Sequence, residues 1–200
     1  MPFSGEDGPR RHHRLFTPRE YDETRVMLTD VTIYHLEMLA LPAQLIAPPR
    51  GGLRVEHVPA PPVPYYRFLY ESVGRDYDWY RCTRLSDDAL AEFIHHPRDE
   101  VHVLHVDNEP AGFAELDCRV ENEVEMLQFG LLPQFIGQGL GRWFLRQIVE
   151  LVWARGPQRF WLHTCTLDHP VALGNYEKAG FRLFKTERIK RELPAGVENS

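Results

Sequence analysis

The segment from Pro133 to Gly156, PQFIGQGLGRWFLRQIVELVWARG, constrains the fold more than any other part of the sequence. Glycines at positions 137, 139 and 141 stand directly before a long amphipathic stretch. Glycine adopts positive φ easily and lets a ligand approach the main chain closely. The first turn of a helix adds unpaired N–H groups and a partial positive charge. The pattern therefore predicts a turn before a helix that binds an anion, most typically a phosphate group.

Two familiar nucleotide motifs do not fit this turn. In the dinucleotide fingerprint G-x-G-x-x-G, Arg142 or Phe144 would occupy the place of the last glycine. The P-loop fails because no Gly-Lys-Ser/Thr follows. A tight turn without any ligand stays open as an alternative, since glycine turns are common. A pyrophosphate cradle is favoured by Arg142 and Arg146, which are expected to flank the exposed side of the helix start.

Hydrophobic periodicity along the rest of the chain predicts the order βααβββαβαβ, with one more strand added early. Strands connected both by hairpins and by helices imply a mixed sheet with helices on both faces, which is an α/β fold. The predicted helices cover 64–74, 86–96, 138–154 and 169–180, and the predicted strands 31–39, 53–58, 100–120 (a hairpin), 123–132, 159–166 and 181–193.

Composition limits the class of protein. The chain has 200 residues, a size typical of one domain, and its net charge of −6 argues against broad nucleic-acid binding. Its longest apolar runs are too short to span a membrane. The three cysteines, Cys82, Cys118 and Cys165, lack the spacing of a disulfide framework or a zinc site, so a cytoplasmic location and no metal are expected.

Polar composition and proline or glycine content predict the domain bounds. Residues 1–29 are expected to form a polar N-terminal arm, and 195–200 a frayed tail. Residues 30–194 would form the folded domain, and the N-terminus lacks the apolar core of a secretory signal.

Two sequence blocks together resemble a known family. LLPQFIGQGLGRWFL resembles motif A of the GNAT superfamily, the acyl-CoA-dependent N-acetyltransferases, in which a strand and a proline precede an R/Q-x-x-G-x-G/A turn and a helix. Gly139 and Gly141 match the two glycines, whereas Ile136 stands where Arg or Gln is usual. The block 163–188 is similar to motif B, N-x-x-A-x-x-x-Y-E-K-x-G-F, with His169 in place of Asn. The matching positions there are Ala172, Tyr176, Glu177, Lys178, Gly180 and Phe181.

The resemblance implies a GNAT-like fold with a central, mostly antiparallel mixed sheet, and acetyl-CoA as donor. The backbone amides of the turn would face the CoA pyrophosphate, and the pantetheine arm would lie along the strand before it. The implied cofactor-binding residues are Leu131, Leu132, Ile136, Gly137, Gln138, Gly139, Leu140, Gly141 and Arg142.

The resemblance also assigns the catalytic groups. Tyr176 would donate a proton to the leaving CoA sulfur, the alternative being a tyrosine that only packs on the sheet. Glu125 would act as general base, with Glu115 and Asp117 as alternatives.

Two local patterns bear on the strand 123–132. Alternation predicts that Glu123 and Glu125 share a face with Leu127 and Phe129. Gly130 predicts a bulge or a close approach of another backbone in the same strand.

The acceptor site is less defined by the sequence. Trp79 and Tyr80, in the aromatic loop before the second helix, would form an apolar or cation-binding wall, the alternative being an aromatic mini-core under a long loop. His163 and Asp168 lie where the resemblance implies the acceptor cleft. The alternative is that Asp168 or His169 caps the next helix, and for Asp168 this capping role is favoured.

The implied acceptor is an amine on a small molecule or a peptide, with no nucleic acid and no membrane as partner. A homodimer is a further expectation, because many members of the family dimerise through sheet edges. The alternative function is a non-catalytic module that binds acyl-CoA or another small ligand.

Overall fold

In the computed structural model the described residues are 22–77, 79 and 82–195, and they form a seven-stranded sheet with four α-helices. The strands are β1 (Asp22–Met38), β2 (Leu53–Val58), β3 (Asp99–Val106), β4 (Glu109–Asp117), β5 (Glu123–Leu131), β6 (Arg159–Cys165) and β7 (Arg182–Ala195). The helices are α1 (Val63–Gly74), α2 (Asp87–Ile94), α3 (Leu140–Trp153) and α4 (Ala172–Lys178), and a short 3-10 turn at Pro133–Phe135 precedes α3. The predicted α/β class and mixed sheet are confirmed.

The strand order in the sheet is β2-β3-β4-β5-β6-β1-β7. Every neighbouring pair is antiparallel except β5 and β6, which are parallel. The β5–β6 register runs only from Glu123↔Arg159 to Met126↔Leu162, while β5 continues to Leu131. The two strands therefore separate beyond Met126 and open a gap in the middle of the sheet.

Each face of the sheet carries its own apolar core. On one face α1 and α2 pack through residues such as Tyr66, Leu69 and Ile94 against Val103 and Phe113. On the other face α3 packs Phe144, Ile148 and Val152 against strand residues that include Leu36, Leu116 and Phe160. The buried stripe of α3 has the spacing of an amphipathic helix, as the sequence predicts.

The starts of β1 and α3 are two of the element boundaries that differ from the expectation. β1 begins at Asp22 rather than near Val31, because its first half pairs with β7 as a ribbon from Val26↔Pro194 onward. That ribbon extends past the core, so Met27 and Leu28 are exposed and a polar composition is tolerated there. α3 begins at Leu140 rather than at Gln138, because Gly139 takes a left-handed conformation with φ 75°.

The connection from β1 to β2, residues 39–52, is called here the crossover segment. It links a strand near one edge of the sheet to the opposite edge strand, and it passes over α3. The Arg146 side chain donates a hydrogen bond of 2.8 Å to the Pro42 carbonyl, and Arg50 forms an ion pair with Asp107 at the far end. No helix in the described residues combines the length and apolarity that crossing a membrane requires.

Candidate active site

A cleft of about 840 Å³ opens where β5 and β6 separate. Backbone and side chains of β5 from Leu127 to Leu131 line it, together with residues of β6 from His163 to Cys165. One face of α3 forms a wall, with Arg142, Leu145, Arg146 and Val149 at helical spacing. α4 contributes Ala172, Asn175, Tyr176 and Ala179, and the cleft reaches Tyr70 and Val73 of α1.

The glycine turn lies at one end of this cleft. Gly137 and Gly139 have φ angles of 81° and 75°, which residues other than glycine rarely adopt. No side chain accepts a hydrogen bond from the N–H groups in the first turn of α3. Since Arg142 also lines the cleft, amide dipoles and a cation are available there for an anion.

The structure distinguishes among the residues predicted to bind the cofactor. Ile136, Gly137, Gly139, Gly141 and Arg142 line the cleft, as does Leu131. The side chains of Leu132 and Leu140 are buried in the two cores, and the Gln138 amide donates to the Gln134 carbonyl at 2.9 Å. Leu140 and Gln138 can therefore contribute through their main chain, whereas the Leu132 N–H already donates to the Ala111 carbonyl at 2.9 Å.

Arg146 does not lie on the exposed side of the helix start as expected. It is buried, and its guanidinium donates to Glu150 at 2.7 Å and to the Pro42 carbonyl at 2.8 Å. Arg142 is thus the arginine of this pair that keeps the predicted place beside the turn.

A bulge in β5 changes which residues share a face. The register with β4 jumps from Glu115↔Gln128 to Leu116↔Met126, which leaves Leu127 as an extra residue. Val124, Met126 and Phe129 all pack toward α3, and the Phe129 ring lies 5.2 Å from that of Phe144. The prediction that Phe129 shares a face with Glu125 is therefore wrong.

Gly130 is a point of close approach rather than the site of the bulge. A Cβ atom at this position would lie 2.2 Å from Val73 Cγ1 of α1. The glycine lets α1 pack directly on the strand that forms the floor of the cleft.

Glu125 does not line the cleft itself but lies beside His163, which does. Its Oε1 atom is 3.3 Å from His163 Nδ1, and His163 lines the cleft. Of the alternatives, Glu115 is fully buried, accepts a 2.6 Å hydrogen bond from the Tyr66 hydroxyl and contributes to the cleft lining. Asp117 is paired with Arg119 at 2.9 Å. Glu125 and His163 are thus neighbours, and of the three candidate carboxylates Glu115 is the one that lines the cleft.

Tyr176 lies in the wall of the cleft formed by α4. Its ring meets those of Phe129 and Phe181 edge-on, with centroids 6.3 and 6.1 Å away. Burial raises the pKa of Tyr176 above its ordinary value, and the negative charge of Asp168 raises it further. A tyrosine hydroxyl is protonated at neutral pH even with its ordinary pKa, so the raised pKa leaves it protonated, as a proton donor needs.

Trp79 and Asp168 meet in the cleft, and both line it. The indole Nε1 donates to Asp168 Oδ1 at 3.4 Å, and Asp168 Oδ2 accepts from Thr164 Oγ1 at 2.7 Å and from the Cys165 N–H at 2.8 Å. The position that precedes α4 is Val171, and no side chain caps this helix. The capping role favoured for Asp168 is therefore wrong.

His169 closes the turn before α4 instead. Its Nδ1 atom accepts a hydrogen bond of 3.2 Å from the Val171 N–H. Tyr80, the other aromatic residue predicted to form the acceptor wall, lies outside the described residues.

Several cleft residues have no signal in the sequence. Gln44 and Ile46 of the crossover segment line the cleft, although this segment reads as a proline-containing loop. Their approach follows from the path of the chain across the sheet, which periodicity does not show. Asn175 and Lys178 could have been found, since both stand in the motif B block beside Tyr176.

A second group of metal-ligating residue types lies away from the cleft. His57, Glu100 and His102 have side-chain nitrogen and oxygen atoms within 4.8 Å of one another. Arg155 donates to both Glu100 oxygens at 2.7 and 2.6 Å, and His102 Nε2 is 3.0 Å from Glu100. These partners lower the pKa of Glu100 to about 2, the hydrogen bond to His102 contributing most. The carboxylate is thus already neutralised by a guanidinium group, and we assign no metal to it.

Residues 66–181, more than half of the chain, match the family model described as the acetyltransferase (GNAT) family. A comparison with curated proteins found no match.

Solved structures with the same fold include a putative GNAT-family acetyltransferase from Novosphingobium aromaticivorans (TM-score 0.56, 20% identity, 82% of this chain and 64% of that one). A GCN5-related N-acetyltransferase from Sphaerobacter thermophilus has a TM-score of 0.61 at 13% identity over 89% of this chain and 56% of that one. The ribosomal-protein-S18-alanine N-acetyltransferase of Escherichia coli has a TM-score of 0.55 at 19% identity over 71% and 93%. The chain thus spans 64% and 56% of the first two structures, and likeness at such identities shows the fold alone.

Proposed function

Because the chain belongs to the GNAT acetyltransferase family, we propose that it transfers the acetyl group of acetyl-CoA to a primary amine by direct attack. The observation that carries this proposal is the single cleft that joins the uncapped glycine turn to Tyr176 through the gap between β5 and β6. An anion-binding end and a proton donor in one cleft are what acyl transfer from a CoA thioester needs.

The residues fit CoA as donor substrate. The N–H groups of the α3 N-terminus, with Arg142, suit the pyrophosphate. Beyond Met126, β5 runs on without its ladder to β6, so main-chain groups on that side are available for the amide-bearing pantetheine arm. The same backbone supplies donors toward a developing oxyanion.

In the proposed reaction the neutral amine nitrogen forms a bond to the thioester carbonyl carbon, and the carbon–sulfur bond breaks. Tyr176 gives its hydroxyl proton to the departing thiolate, since a tyrosine holds this proton at neutral pH and burial retains it. Glu125, beside His163, takes the proton that the amine loses. No covalent bond to the protein forms.

An amine acceptor is supported by the character of the cleft around Trp79. Trp79, Tyr70 and Asp168 place aromatic rings and a carboxylate together there, which suits a cationic or amine-bearing group. The Escherichia coli protein with the same fold is named for acetylation of an alanine of a ribosomal protein.

The cysteines Cys82, Cys118 and Cys165 are all free thiols, which is consistent with a reducing cytoplasm.

The first test is the thermal midpoint with acetyl-CoA, CoA and ATP. A ligand at about 100 times its Kd stabilises the folded state by roughly 2.7 kcal/mol, a shift of several degrees. We expect a shift with acetyl-CoA and CoA and none with ATP. No shift at saturating CoA would overturn the proposal.

Turnover is the second test, measured as free CoA released during incubation with a panel of small-molecule and peptide amines. Release that depends on an amine supports an enzyme. A thermal shift without release for any amine would favour a binding module instead.

A further inference from the structure

The crossover segment supplies cleft residues that lie outside the part of the chain matching the family model. Gln44 and Ile46 line the cleft, whereas the match covers residues 66–181. They come to the cleft because β1 and β2 stand far apart in the sheet and the chain between them must cross over α3.

Contacts at several points fix the course of this segment. Pro42 receives the hydrogen bond from Arg146 of α3 and packs so tightly on Gly180, just after α4, that a Cβ there would lie 2.5 Å from Pro42 Cγ. Pro49 lies against the glycine turn, 3.6 Å from the position of a Cβ on Gly139. The segment therefore runs from the end of α4 to the start of α3, the two helices whose side chains wall the cleft.

The side chains of the segment point in different directions. Ile46 is half-buried and packs on the core beneath α3, and Gln44 is exposed and lines the cleft. Leu45, between them, is 88% exposed and does not line the cleft. Gln44 and Ile46 thus line the same cleft as Arg142 and Leu145.

We propose that the crossover segment is the outer wall of the acyl-CoA site, with Ile46 contacting the apolar surface of bound CoA and Gln44 hydrogen-bonding one of its polar groups. This inference rests on the proposed function, since it needs CoA in the cleft. CoA combines a flexible apolar chain with amides and phosphates, so an aliphatic side chain beside a carboxamide suits it. A wall on this side also removes water from the ligand, which strengthens its polar contacts.

Calorimetric titration of CoA into four proteins tests the wall: the wild type, Gln44→Ala, Ile46→Ala and the control Leu45→Ala. We expect Ile46→Ala to raise the Kd about tenfold and Gln44→Ala to raise it about three- to tenfold. Leu45→Ala should leave the Kd unchanged. An unchanged Kd in both Gln44→Ala and Ile46→Ala would overturn the inference while leaving the proposed function in place.

Amide hydrogen exchange of the wild-type protein gives a second readout that depends on no variant. CoA should slow exchange at residues 43–47 together with residues 137–142. Slowed exchange at the turn without any change at 43–47 would overturn the wall. Absence of CoA binding by the wild type would overturn the proposed function, and this inference with it.

Discussion

Tyr176 is the side chain on which the proposed chemistry most depends. Tyr176→Phe keeps the ring contacts with Phe129 and Phe181 but removes the proton donor. We expect kcat to fall by roughly 100-fold with little change in the Kd of acetyl-CoA. Steady-state kinetics with calorimetry measures both, and Tyr65→Phe, on α1 outside the cleft lining, is the matched control. An equal kcat in Tyr176→Phe would exclude the acid role.

Glu125 is the proposed base, and a neighbouring residue provides its control. Glu125→Gln should lower kcat by about 10- to 100-fold, because a carboxamide does not accept the proton of the amine. Glu123 lies two positions earlier on the same strand and contacts Arg159 at 3.3 Å, so Glu123→Gln should keep normal turnover. The pH–rate profiles of both variants decide the point. If Glu125→Gln reacts normally, the base is another residue, and Glu115, which lines the cleft, is next in order.

Asp99 gives a prediction on stability rather than on activity. Burial raises the pKa of Asp99 to about 7, against the opposing effect of Arg119 and with a further increase from Asp117. Because the folded state holds this proton more tightly, Asp99 stabilises the fold at low pH and loses that contribution as the pH rises through 7. Relative to Asp99→Asn, the wild type should lose on the order of 2–4 kcal/mol of unfolding free energy between pH 4 and pH 8.

Urea unfolding of the two proteins at several pH values measures this difference. Removal of the contact between Asp99 and Arg119 affects the variant at every pH, so only the slope of the difference reports the titration. A difference that stays constant from pH 4 to pH 8 would refute the raised pKa.

At the scale of the element, the turn before α3 shows how local sequence can encode a site. Positive φ at Gly137 and Gly139 and an uncapped helix start are the properties that glycines before an amphipathic stretch predict.

β5 shows the opposite case. Its sequence alternates through Glu123, Glu125 and Leu127, and nothing in that alternation shows that Leu127 is the extra residue of a bulge. Pairing with β4 decides it, and one extra residue moves Phe129 to the face of α3.

The loop after β6 was also beyond sequence reasoning. Asp168 stands where a helix cap is expected, but α4 starts later, at Ala172. The Asp168 carboxylate instead accepts hydrogen bonds from Thr164, Cys165 and Trp79. Trp79 is distant in the sequence, so only the tertiary fold reveals this partner.

The glycine turn carries an element-scale prediction. Gly141 is in the first turn of α3, and a Cβ there would meet Leu131 at an ordinary distance of 3.5 Å while facing the cleft. Gly141→Val should therefore leave the thermal midpoint of the free protein nearly unchanged but abolish the shift produced by CoA. Gly174→Ala is the matched control, because a Cβ on this α4 residue would lie in open space. A folded Gly141→Val protein that binds CoA normally would exclude the turn as the phosphate site.

At the scale of the whole molecule, β1 is an inner strand of the sheet although it precedes the other described strands in the sequence. It lies between β6 and β7, and its residues Leu36 and Met38 are buried in the core beneath α3. The sequence correctly places a strand at 31–39, but it does not show which strands this one joins, because that pairing is long-range.

A fragment of residues 53–195 tests this placement. It retains the whole region that matches the family model but lacks β1, so β6 and β7 each lose their shared partner. We expect no cooperative thermal transition in circular dichroism and no CoA binding. Cooperative unfolding of the fragment would show that β1 is dispensable.

The position of β1 also affects how the chain reaches its folded state during synthesis. Thr32 donates its N–H to the Thr166 hydroxyl, a partner 134 positions later in the chain. At about 5–20 residues per second, β1 leaves the ribosome on the order of ten seconds before β6 can pair with it. The strand that is translated first is therefore among the last to be incorporated, and until then its apolar face needs protection from aggregation, for example by a chaperone.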